Sequence, residues 1–92
     1  MAEYENQKEI DALQKAIAAI APEIKLREFD LVPGTNVVRK VIVHLDEKGN
    51  KAVINQLLSI GFTKKARHRK RVDVHMLLST PDAFVVRLEK EM

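Results

Sequence analysis

Between Thr63 and Leu78 the chain joins its densest charge to a core-forming element. Lys64, Lys65, Arg67, Arg69, Lys70 and Arg71 are six of its sixteen basic side chains. Val72-Asp73-Val74-His75-Met76-Leu77-Leu78 then alternates apolar and polar residues, as a half-buried strand does. Unpaired cations stay in solvent, whereas an alternating strand needs a core behind it. Any fold for this chain has to hold a charged segment and a buried one end to end.

The core available is small. Ninety-two residues make one domain, residues 1–92, of modest stability. An apolar content of 46% fits a folded chain rather than a disordered one. With no cysteine, disulfides and thiolate zinc sites are excluded. The longest apolar run, Ala16 to Ala21, is far short of a membrane span. Glu3 and Glu5 stand where a signal peptide carries basic residues, so the expected location is the cytoplasm. The net charge of +3 is unevenly spread: −3 over Met1–Pro33, +2 over Gly34–Thr63, +6 over Lys64–Arg71 and −2 over Val72–Met92. The basic character is one local patch, suited to steering an anionic partner.

Ile10, Leu13, Ile17 and Ile20 follow a helical stripe. Asn6 is the expected N-cap, with Glu9 three residues on in a capping-box spacing. Pro22 ends the helix. Ile24–Leu31 predicts a strand whose apolar phase slips near Arg27–Glu28, the mark of a bulge. Val32-Pro33-Gly34-Thr35 predicts a type II turn, and Val37–Leu45 the returning strand. Asn50 opens a second helix carrying Val53, Ile54, Leu57, Leu58 and Ile60. Gly61 and Phe62 close it, the glycine left-handed and the phenylalanine folded back on Leu57. Ser79–Asp82 predicts a turn into a last strand, Ala83–Glu91.

The order αββαββ predicts a two-layer α+β fold. A four-stranded antiparallel sheet carries both helices on one face and leaves the other open. Pairing Val72–Leu78 with the last strand sets Val74 opposite Val86, Asp73 opposite Arg87, Arg71 opposite Glu89 and Arg69 opposite Glu91. Opposite charges across strands favour this register. The covered face then takes Ile24, Leu26, Val41, Val43, Leu45, Val72, Val74, Met76, Phe84, Val86 and Leu88. The open face takes Val38, Lys40, Ile42, His44, Arg71, Asp73, His75, Leu77, Val85, Arg87 and Glu89.

These placements predict a small non-enzymatic binding protein that contacts the backbone of DNA or RNA. The contacting residues are Lys64, Lys65, Arg67, Arg69, Lys70 and Arg71, extended by Lys40 and Arg87. On a regular strand Lys65, Arg67, Arg69 and Arg71 share one side, and Lys64, His68 and Lys70 the other. With four aromatic residues in the chain, base stacking is poorly supplied and phosphate contact is the expected mode. The open face holds the alternative. Val38, Ile42, Leu77 and Val85 form an apolar patch ringed by charge, with His44 and His75 beside it, fit for a homodimer or for covering another protein in the manner of a small phage inhibitor. A second alternative is a metal-independent ribonuclease, with His75 oriented by Asp73 and Arg71 as the anion stabiliser. The three glycines are isolated and form no phosphate loop, and the histidines and carboxylates show no metal-ligand spacing. No cofactor, metal or membrane partner is expected.

Overall fold

The stripe at Ile10, Leu13 and Ile17 becomes the buried side of helix α1, Gln7–Ile20. The computed structural model describes residues 3–69 and 84–92. In them α1 is followed by β1 (Glu28–Leu31), β2 (Val38–Asp46), α2 (Lys51–Ser59), β3 (Thr63–Arg69) and β4 (Phe84–Glu91). The strands form one antiparallel sheet in the order β1-β2-β4-β3. Each αββ half contributes a hairpin-like pair, and the second strands of both halves meet at the centre. Ile10, Leu13 and Ile17 of α1 and Ile54 and Leu57 of α2 join Val41, Val43, Val86 and Leu88 in a single core. No helix among the described residues is long and apolar enough to cross a membrane.

The second helix ends as its sequence requires. Gly61 takes a φ of +109°, its N–H donates to the Leu58 carbonyl, and the Phe62 N–H donates to the Leu57 carbonyl at 3.1 Å. This pair of bonds is the Schellman arrangement, and it turns Phe62 into the core, where it is 3% exposed. The turn after β1 also forms as expected: the Thr35 N–H donates to the Val32 carbonyl at 3.0 Å, with Gly34 at a φ of +77°.

The helix starts differ from the expected capping. Neither Asn6 nor Asn50 makes a side-chain cap bond. The Asn6 amide instead donates to the Val38 carbonyl and accepts from the Val38 N–H, each at 2.9 Å. Gln14, two turns along α1, does the same for the segment before β1: it donates to the Ile24 carbonyl at 3.0 Å and accepts from the Leu26 N–H at 2.9 Å. A side-chain amide carries both a donor and an acceptor, so Asn6 ties α1 to the first residue of β2 and Gln14 ties it to the segment before β1. Residues 24–27 are accordingly not strand, and β1 begins four residues later than the apolar pattern suggested.

The bulge also sits elsewhere. Pairing is regular from Glu28↔Ile42 to Asp30↔Lys40, then shifts to Leu31↔Val38. Arg39 is the extra residue, in β2 rather than near Arg27–Glu28. It reverses the phase before it: Val38 turns into the core, 1% exposed, not onto the open face. Arg39 itself faces solvent in an ion pair with Asp30, whose carboxyl is held below its ordinary value chiefly by the Arg39 hydrogen bond.

The largest correction concerns β4. Its partners are Arg67 opposite Val86, Ala66 opposite Arg87 and Thr63 opposite Glu89, not Val74, Asp73 and Arg71. Arg69 lies opposite Phe84, not Glu91. The cap at Gly61 and Phe62 delivers the chain to the sheet at once, so the basic run itself is the strand. Cross-strand charge pairs are worth a few tenths to about 1 kcal/mol, too little to outweigh so short a connection. Val72, Val74, Met76, Asp73 and the expected Ser79–Asp82 turn lie outside the described residues.

Candidate nucleic-acid interface

Every residue of β3 is exposed, and β3 is the outermost strand on its side among the described residues. A seven-residue strand with no buried side chain contributes none of its own to the core. It is held by its hydrogen bonds to β4 and by the contacts of Arg67. Pairing shifts between Lys64 and Ala66, so Lys65 is an extra residue and the expected alternation is broken. Lys64, Arg67 and Arg69 lie opposite Leu88, Val86 and Phe84 and therefore share the helix side of the sheet. His68 lies opposite Val85, on the open side. Lys65 lines an open-face cleft of about 350 Å³ with Lys40, Gly61, Thr63, Glu89 and Glu91.

Arg67 is already engaged. Its Nε donates to Glu47 Oε2 at 2.6 Å and its Nη2 to Oε1 at 2.9 Å, the two-pronged geometry that suits guanidinium to carboxylate. Its guanidinium also lies 3.7 Å above the Phe84 ring. The Arg67 hydrogen bond is the main reason that Glu47 stays ionised below its ordinary range. Neither Lys64 nor Lys65 is held in a salt bridge among the described residues.

Lys40 and Arg87, expected to extend the ribbon, both lie against one acid. Glu89, 8% exposed on the open face, lies 3.0 Å from Lys40 Nζ and 2.7 Å from Arg87 Nε. The Lys40 hydrogen bond lowers its pKa most, the charges of Lys40 and Arg87 add to that, and partial burial opposes it.

Of the open-face patch, Val38 is in the core, Ile42 and Val85 are half-buried and His44 is exposed. Lys70, Arg71, His75 and Leu77 lie outside the described residues. His44 carries the feature that sequence reasoning missed: Nδ1 is 2.9 Å from Glu28 Oε1, and its ring centroid is 6.4 Å from that of His68. The two histidines are twenty-four residues apart in sequence and on strands flanking β4. Only the strand order brings them together.

All four aromatic rings are occupied within the fold. Tyr4 packs against Phe29 at 5.3 Å, Phe62 is in the core and Phe84 lies under Arg67. Among the described residues no group of three or more histidine or acidic side chains is placed to hold a metal ion. No protein-family model, curated protein or solved structure matches the chain.

Proposed function

We propose that this is a small protein that binds the sugar-phosphate backbone of DNA or RNA through β3, inside the cell. What supports this most is the strand itself: Lys64, Lys65, Arg67, His68 and Arg69 within seven residues, all exposed, on an outer strand with no buried side chain. Cations on a rigid strand are pre-positioned for phosphate, and each contact releases bound counterions. The occupied aromatic rings fit backbone contact better than stacking on bases. The protein-covering alternative loses Val38 to the core.

The test is fluorescence anisotropy of a labelled generic duplex and a labelled single strand across a salt series. Affinity should fall steeply with salt, and Lys64→Glu with Lys65→Glu should flatten the slope by about two. Absent or salt-independent binding at low ionic strength overturns the reading.

A further inference from the structure

The histidine pair on the open face belongs to neither the ribbon nor the core. His44 comes from β2, His68 from β3, and their rings meet edge to face across β4 at an interplanar angle of 70°. Both residues are exposed. Glu28 on β1 takes His44 Nδ1, which fixes the ring and leaves Nε2 as its open nitrogen. Glu28 and His44 also line a groove of about 340 Å³ with Lys25 and Arg27. Arg87 lies opposite His44 on β4 and points back to Glu89. Two imidazoles, one oriented by a carboxylate, thus face each other beside a basic strand and a groove that carries Lys25 and Arg27 together with Glu23 and Glu28.

We propose that this arrangement cleaves RNA without a metal ion, the scissile phosphodiester lying between His44 and His68. The inference rests on the nucleic-acid reading and adds chemistry to it. A phosphodiester offers one oxygen to each ring, at a hydrogen-bond reach of about 2.8 Å. His68 accepts the proton of the ribose 2′-hydroxyl, and the 2′-oxygen forms a bond to phosphorus. The bond from phosphorus to the 5′-oxygen breaks, and protonated His44 gives its Nε2 proton to that leaving oxygen. Glu28 holds the His44 ring through Nδ1 and leaves Nε2 to face the leaving oxygen, which is why the acid's role falls to His44. The products are a 2′,3′-cyclic phosphate and a free 5′-hydroxyl. One proton is taken and one returned, and no co-reactant is needed. Lys25 and Arg27 hold phosphates flanking the cut. The sequence placed this chemistry on His75, Asp73 and Arg71; strand order gives it a pair that sequence spacing does not show.

The experiment uses the whole chain with EDTA present and a fluorophore–quencher RNA, alongside its all-2′-deoxy counterpart as a binding probe that cannot be cut. Cleavage should yield a 2′,3′-cyclic phosphate, spare the deoxy strand, and fall by about 100-fold or more in both His44→Ala and His68→Ala. Both side chains are exposed, so both variants should fold. Glu28→Gln should retain binding but displace one limb of the pH–rate profile, which a purely structural role would not do. Binding of the deoxy strand with no cleavage of RNA overturns this inference and leaves the binding reading intact. Cleavage unchanged in both histidine variants also overturns it, and failure to bind either strand removes both.

Discussion

Arg67 and Glu47 form a two-pronged ion pair that ties β3 to the loop after β2, with bonds of 2.6 and 2.9 Å. The pair takes an arginine in the middle of the basic ribbon and occupies it at home. Glu47 also draws on the charges of Lys64 and Lys51. It therefore competes with any phosphate for the helix side of β3. Glu47→Ala should tighten binding to a generic duplex and steepen the salt slope by about one, as anisotropy titrations will show. Weaker binding by Glu47→Ala would mean that the pair orders the ribbon rather than competing with its ligand.

Asn6 gives a sharper test of how α1 is held. As an N-cap, aspartate would replace it with little loss, because both residues cap well. As a bridge to Val38, aspartate keeps the acceptor and loses the donor. Asn6→Asp should then cost about 1–3 kcal/mol by leaving the Val38 carbonyl without its partner. Urea unfolding of Asn6→Asp beside Asn6→Ala measures this.

Val38 and Ile42 look alike in sequence and differ in the fold. Val38 is 1% exposed and Ile42 half-buried. Val38→Ala should cost about 1–3 kcal/mol, and Val38→Lys should prevent folding. Ile42→Lys, on the open face, should fold. Circular dichroism and urea midpoints separate the two positions.

The Glu89 cluster makes a pH prediction. Its carboxyl is lowered from an ordinary value of 4.5 in the fold, so between the two values the unfolded chain binds more protons than the folded one. The stabilisation is complete above the ordinary value and is lost as pH falls through the lowered one. The stability gap between the parent and Glu89→Gln should be largest near neutrality and close on acidification. Urea midpoints at both ends of that range check it, and a gap that widens in acid would contradict the assignment.

What the sequence made legible was local. The stripe of α1, the stop at Gly61 and Phe62 and the Pro33–Gly34 turn each follow from a few adjacent residues, and all appear in the fold. The phases of Val41, Val43, Val86 and Leu88 were also readable, because each sits in a regular stretch. The position of Val38 was not, since one bulged residue at Arg39 reverses the phase and nothing local announces it. The register of β3 was misjudged because weak cross-strand charges were asked to decide what the connection from α2 decides. The pairing of His44 with His68 was not legible for a related reason: they are neighbours only through the 1-2-4-3 strand order, which no spacing encodes.

That order also bears on how the chain assembles. β4 pairs with β2 along one edge and β3 along the other, so the last strand in sequence is central in the sheet. Until it is in place, β3 has no partner among the described strands, and β2 has only the four residues of β1. The β2–β4 part of the ladder joins distant parts of the chain. Closing long loops before any contact rewards them makes such folding slow. A chain lacking residues 84–92 should lose the sheet as a whole rather than fray at one edge.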